Sequence, residues 1–445
     1  MNQFKKRRYM KIKFVVLFFM LTIINGCVNS EIITGYWTGS MEVNGKTVDM
    51  SIDLKQTKKL FSSYDLMLLD QPISNLKLIN RKITFLVNLD IDFVFHGEIK
   101  NNQITGNAAI NGGPPNMDIA FSLTKQSELP VKTYSIESLT IKSNDVILSA
   151  EIYTPKTEGL HPAIVLLQGS STNLKTDYLF DADFFAKLGF EVLIFDKRGN
   201  GKSTGEYYSS GYNDLITDAI ACLETMYSRK SVDKNKIGLW GYSQGGMLLP
   251  KIVAKTSIPH FLIAKSPEII SETEAAAFSD SLRVVNSGYT DSDGHLAAES
   301  HRKIEKMIRK GSDYKDVEKF IRQNAQKYNF MNQTGLYGSI SIDKNEFNGF
   351  YWKGRTENFY SDWKNTDVST LVLLGERDDL INAEKSEAII KGFNNDNVIV
   401  KLFPRANHHL KKTFNPRVDS EFDWPRITEG YSELVKNWIQ KEVKK

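Results

Sequence analysis

The tightest constraint on how this chain can fold is Lys236-Ile-Gly-Leu-Trp-Gly-Tyr-Ser-Gln-Gly-Gly246, where a short apolar strand runs directly into Gly-x-Ser-x-Gly. Glycines two before and two after Ser243 permit a cramped strand-to-helix turn, and Gly246-Met-Leu-Leu-Pro-Lys-Ile-Val-Ala-Lys continues with helical apolar spacing. Such a turn lifts a serine hydroxyl out of a sheet, which makes Ser243 the first candidate nucleophile. The same pattern recurs at Gly201-Lys-Ser-Thr-Gly205, and context separates the two. Ser203 lies beyond the strand Phe190–Phe195 and precedes a polar, turn-rich segment without helical periodicity, so an ordinary loop is expected there. A phosphate-cradling reading of Gly-Lys-Ser fails because Asp196 stands where that loop needs its first glycine.

The amino terminus reads as an export signal. Six basic residues among the first thirteen and no acid precede the apolar run Phe14–Ile24, which is short for a bilayer span. It ends Ile24-Asn-Gly-Cys27, which resembles the lipobox of bacterial lipoproteins and implies cleavage before Cys27, lipidation of its thiol and an exported, membrane-anchored product. Without residues 1–26, 51 basic residues face 53 acidic ones, a balance of −2, so no basic tract argues for nucleic acid. With Cys27 lipidated, Cys222 has no disulfide partner, and its helical core spacing predicts a buried thiol.

Two domains follow the signal. Residues 31–127 carry short alternating strands broken by turns such as Asn44-Gly45 and Asn101-Asn102, a small all-β domain. Its histidine, His96, reads as structural on an alternating strand. Residues 132–445 open with an antiparallel pair turning at Asn144-Asp145 and then alternate strand and helix. Apolar runs at 163–168, 190–195, 237–240, 261–264, 370–374 and 398–403 suit a sheet buried on both faces, with amphipathic helices at 213–228, 244–256, 383–392 and 429–442. Residues 268–366 interrupt this order with helical stretches near 272–285, 292–310 and 314–328, read as a cap. Aromatics crowd its end, among them Phe350, Trp352, Phe359 and Trp363, and read as the cap's own core or as a wall for an apolar substrate group.

A serine hydroxyl needs an imidazole base and an acid that holds the imidazole in one tautomer. His408 and His409 follow the last strand, and Gly375-Glu-Arg-Asp-Asp379 follows the strand before it, both expected at the edge that carries Ser243. Together with Asp196-Lys-Arg-Gly-Asn-Gly-Lys-Ser and Ala406-Asn-His, these motifs resemble the α/β-hydrolase superfamily, in its bacterial esterase and serine-aminopeptidase-like branch. The resemblance covers residues 134–445 and implies a mostly parallel, doubly wound α/β sheet with a helical cap, placed here after the all-β domain. It implies Ser243 as nucleophile, Asp378 as orienting acid and His408 as base, with Asp379 and His409 as neighbouring alternatives. Backbone N–H groups of Gln244 and of Ser170, or next Gly169, are the expected oxyanion donors, although Gln168-Gly-Ser replaces the family's common His-Gly-x. No metal or organic cofactor is expected. The implied reaction is acyl transfer to water, with a small or medium acyl ester as substrate in a carboxylesterase, or a peptide in an amidase or peptidase. A silent scaffold whose β domain binds a partner is the reading from another class.

Overall fold

In the computed structural model, described for residues 33–444 except 44, 56–57, 89–91, 111–118, 416–417 and 421–423, the strands fall into two large β systems and one two-residue ribbon. Cys27 and the signal segment lie outside the described residues.

The alternating first system closes on itself. Strands β1 (Gly35–Val43), β2 (Lys46–Leu54), β3 (Lys59–Ser63), β4 (Leu68–Ile79), β5 (Lys82–Val87), β6 (Phe93–Lys100), β7 (Gln103–Ile110) and β8 (Ile119–Gln126) form an antiparallel barrel. β8 returns to β1 through pairs from Tyr36↔Gln126 to Glu42↔Ala120, so no edge is left to pair with another chain. Every second residue points inward, and Trp37, Met50, Phe85, Phe95 and Phe121 fill the interior as one buried cluster.

The second system is an eight-stranded sheet made of β9 (Tyr134–Ser143), β10 (Val146–Pro155), β11 (His161–Leu167), β12 (Glu191–Phe195), β13 (Val232–Tyr242), β14 (Phe261–Lys265), β15 (Ser369–Gly375) and β16 (Val398–Phe403). Their spatial order is β16-β15-β14-β13-β11-β12-β10-β9, parallel throughout except for β9 and β10. Every residue of β12 and β14 is buried, which explains their continuous apolar runs. This is the α/β-hydrolase order, with the serine turn after β13. In register, Leu167 stands beside Gly241, Tyr242 beside Lys265, and Gly375 beside Phe403, so the loops after five strands emerge along one edge.

One helix escaped the sequence reading. Leu179–Lys187 buries Phe180, Asp181, Ala182, Asp183, Phe185 and Ala186, so residues all round it are covered and no apolar stripe marks it. It lies between the sheet and the barrel. Tyr64 of the barrel donates its hydroxyl to Asp183, and the Tyr64 and Phe180 rings lie 5.5 Å apart. From the other direction Trp424 enters the barrel's buried cluster and stacks on Phe93 at 6.1 Å, while Ile427 N–H donates to Asp65 O at 2.6 Å.

Between β14 and β15 the helices Glu272–Asn286, Asp291–Arg309 and Tyr314–Lys327 form the body of a cap with its own core around Val284, Ile304, Ile321 and Trp352. Of the aromatic group at its end, Phe347 and Trp352 belong to that core. Phe350, Phe359 and Trp363 join the main sheet's core instead, and Tyr337 and Tyr360 are exposed. Three of these rings therefore pack the cap's end onto the sheet, and two fill the cap's own core.

Candidate active site

Ser243 occupies the turn between β13 and the helix Gln244–Val253 with φ 51° and ψ −115°, a conformation that L-residues rarely adopt. Holding a serine there costs about 1–3 kcal/mol, and the surroundings over-determine it. Its N–H donates to Lys265 O at 2.8 Å, and its carbonyl accepts Met247 N–H at 2.9 Å. A Cβ on Gly245 would stand 2.5 Å from Leu167 O, so only glycine lets the new helix cross β11 this closely. Ser203 is placed quite differently. Its hydroxyl donates to Asp196 O at 2.6 Å and accepts Ser149 N–H at 2.9 Å, fastening a loop to β10.

The loops after β15 and β16 bring Asp378 and His408 together. His408 Nδ1 lies 2.6 Å from Asp378 Oδ2, and Asp378 Oδ1 accepts the N–H groups of Leu380 and Ile381 at 2.9 and 3.0 Å. Both side chains are buried. The carboxylate thus has acceptor capacity for an Nδ1 proton, which leaves Nε2 as the basic nitrogen. Nε2 is buried with no hydrogen-bond partner among the described residues, so it is not bonded to Ser243 Oγ in this state. Ser266 Oγ donates to His408 O at 2.7 Å and ties the His408 loop to the strand beside the serine turn. Gly375 allows this loop to approach, since a Cβ there would meet Asn407 O at 2.4 Å. The neighbouring candidates point elsewhere: Asp379 is exposed, and the exposed His409 ring bonds through Nδ1 to Tyr242 OH at 2.9 Å.

The loop after β11 sits against the serine. A Cβ placed on Gly169 would lie 3.4 Å from Ser243 Cβ. Gly169 N–H donates to Tyr178 OH at 2.9 Å and Ser171 N–H to Tyr207 OH at 2.8 Å. Ser170 N–H, between them, has no acceptor among the described residues, and neither has Gln244 N–H at the first turn of its helix. Of the two loop donors considered from sequence, Gly169 is therefore committed to a tyrosine.

Sequence reasoning missed the residue that joins these parts. Lys197, 4% exposed, donates to Gly169 O and, at 3.0 Å, to Gln244 Oε1. Tyr207 OH also donates to Gln244 Oε1, at 3.1 Å, and its ring faces the ammonium at 4.5 Å. Burial lowers the Lys197 pKa to about 7, against the opposing attraction of Glu272. The only signal in the sequence was a lysine beside Asp196, which spacing alone does not distinguish from a surface residue.

A second His–Asp pair lies inside the cap. His301 Nε2 lies 2.7 Å from Asp280, but Arg355 donates to His301 Nδ1 at 3.1 Å. Both ring nitrogens are occupied, which suits a structural imidazole. No group of three or more His, Cys, Asp or Glu side chains converges as a metal site among the described residues.

Comparison with known proteins gives local and family-level similarity. The quorum-quenching protein AidA of Acinetobacter baumannii is 32% identical over 105 residues, 23% of this chain and 34% of that protein. The thiohydrolase aneE of Aspergillus aculeatus is 31% identical over 126 residues, 28% of this chain and 38% of that one. The chain thus spans about a third of the length of these relatives. Among solved structures, a Pyrococcus furiosus esterase aligns with TM-score 0.43 and 18% identity over 70% of this chain and 91% of that one. Residues 144–410 match the family described as X-Pro dipeptidyl-peptidase (S15 family), and this covers the sheet from β10 to β16, the cap and every candidate residue from Ser170 to His408. The chain belongs to the X-Pro dipeptidyl-peptidase (S15) family.

Proposed function

We propose that this protein is a carboxylesterase that forms an acyl-enzyme on Ser243. The observation that carries the reading is the buried Asp378–His408 pair at 2.6 Å, with Nε2 unoccupied, on the sheet edge that also presents the strained Ser243 turn. In the proposed reaction Ser243 Oγ attacks the ester carbonyl while His408 Nε2 takes its proton, and Asp378 stabilises the resulting imidazolium. The carbonyl oxygen becomes an oxyanion facing the N–H groups of Gln244 and Ser170, the first of them at a helix N-terminus where the aligned peptide dipoles favour negative charge. As the carbon–oxygen bond breaks, His408 returns the proton to the departing alcohol. Water then repeats the sequence on the acyl-enzyme and releases the acid and Ser243.

The family match favours a second reading, in which the same residues cleave the bond after an X-Pro dipeptide. Turnover of a p-nitrophenyl ester series and of X-Pro p-nitroanilides, each against a Ser243→Ala control, separates the two. Esters turned over faster, with loss of both activities in the variant, support the esterase. Dominant anilide cleavage supports the peptidase, and ester turnover undiminished in Ser243→Ala refutes both.

The proposal extends to location: residues 1–26 direct export, and Cys27 carries the lipid anchor. Its support is the basic stretch, the apolar run and the Ile-Asn-Gly-Cys ending. Fractionation of cells expressing the native chain and Cys27→Ala tests this, with loss of membrane association and of radiolabelled palmitate expected in the variant. Unchanged membrane association and labelling would refute it.

A further inference from the structure

Between the barrel and the hydrolase sheet lies a cavity of about 820 Å³, within the range of small-molecule sites. Leu66, Leu68 and Phe93 of the barrel form one wall, and Phe180, Trp240 and Trp424 contribute to the other. Neither Ser243 nor His408 lines it, although their neighbours Tyr242 and His409 do. Among the ionisable side chains that line this largely apolar space, two of opposite sign are deeply buried. Asp181 is 8% exposed and Lys265 is 4% exposed; the Asp181 carboxylate accepts a hydrogen bond from its own backbone N–H, and neither side chain makes an ion pair among the described residues.

Burial of this kind demands compensation. The Lys265 ammonium has part of it, lying 5.5–5.7 Å from the ring centres of Trp240, Tyr242 and Tyr431. Aromatic faces supply no acceptor atom, and the Asp181 carboxylate has its own backbone N–H and the fields of Lys265 and Lys411 to offset its burial. The two groups attract each other without meeting, while burial moves the Asp181 pKa up and the Lys265 pKa down. Three further ionisable groups on the cavity wall are already engaged: Asp177 accepts Leu174 N–H at 2.9 Å, His409 bonds to Tyr242 OH, and Lys411 has a partner of its own. An acid and an amine held apart, with apolar and aromatic walls around them, complement a small molecule that carries both opposite charges and an apolar group.

We propose that this cavity binds a free α-amino acid with a large apolar or aromatic side chain, its ammonium on Asp181, its carboxylate on Lys265 and its side chain against the barrel wall. The site would give the barrel a function as one wall of a ligand chamber. Occupancy would also reach the catalytic edge, because Lys265 O is the acceptor that holds Ser243 N–H.

Calorimetric titration of the full chain with L-phenylalanine tests the assignment, with phenethylamine and 3-phenylpropionate as analogues that each lack one charge. Expected are saturable one-to-one binding of phenylalanine, and binding weaker by about tenfold or more for both analogues and for Asp181→Asn and Lys265→Met, in line with the loss of a buried charge-assisted contact. Leu68→Trp, which fills the cavity and keeps both charges, provides an independent variant and should abolish binding. The proposal is overturned if phenylalanine, leucine and tryptophan all fail to bind saturably. It is equally overturned if either analogue matches phenylalanine, or if folded Asp181→Asn or Leu68→Trp protein binds as the native chain does.

Discussion

His408 Nδ1 stands 2.6 Å from Asp378 Oδ2, and the next residue, Asp379, is exposed and takes no part in that contact. The two aspartates therefore separate cleanly by experiment. Asp378→Asn replaces the carboxylate acceptor with an amide that favours the wrong imidazole tautomer, and kcat on a p-nitrophenyl ester should fall by about 10⁴-fold. Asp379→Asn should stay within about threefold of the native value, as expected for an exposed residue away from such features. Equal losses in both variants would contradict the assignment.

The chain offers two adjacent histidines, and their identities alone do not say which faces the acid. Geometry makes the distinction, because the loop after β16 buries His408 against Asp378 and turns the next ring outward to Tyr242. His409→Ala should keep most of the ester turnover, whereas His408→Ala should lose about as much as Ser243→Ala, since residues acting as a unit are not additive. Steady-state kcat values for the three variants check this.

Gly169 carries the loop that lies on the serine. In Gly169→Ala the new methyl would stand 3.0 and 3.1 Å from ring atoms of Tyr242, tight enough to shift the loop by a few tenths of an ångström. Displaced oxyanion donors should lower kcat by about 10- to 100-fold with little change in KM, because the affected contact forms in the transition state. An unaltered kcat would place the donors elsewhere.

Lys197 predicts a pH signature. Its burial-lowered pKa of about 7 means that the cation bridging Gly169 O and Gln244 is lost as pH rises through neutrality. The protonated form is the active one in this account, so kcat should fall on the alkaline side of about 7. Lys197→Met should lower the maximum by roughly tenfold, less than direct removal of an oxyanion donor, and remove the alkaline fall. A variant with the native pH profile would contradict the role.

Trp424 links the two β systems from within the barrel's buried cluster. Trp424→Ala should destabilise the protein by about 3–5 kcal/mol, the usual cost of deleting a buried tryptophan side chain, measured by denaturant unfolding. Turnover of a p-nitrophenyl ester by the molecules that remain folded should be largely retained, since Trp424 packs in the barrel's buried cluster.

Period-2 alternation around residues 34–125 announced an all-β domain, and unbroken apolar runs announced the buried parallel sheet, because each pattern follows from which faces a strand covers. Closure of the first system into a barrel was not legible, since the β1–β8 pairing joins residues far apart in sequence without a local mark. The helix Leu179–Lys187 was lost for a related reason: covered by the sheet on one side and the barrel on the other, it has no polar face to give it a period. Glycine spacing singled out Ser243 because a cramped turn needs those residues. Lys197 had no such spacing, since its role depends on three loops that meet only in the folded chain.

The central claim concerns one hydroxyl, and covalent labelling reads it directly. The native chain is treated with a fluorophosphonate, and the modified site is mapped by peptide mass spectrometry beside Asp378→Asn. The account predicts a stoichiometric adduct on Ser243, greatly slowed labelling in Asp378→Asn, and no modification of Ser203. A label on Ser203, or no adduct on Ser243 in folded native protein, would contradict it.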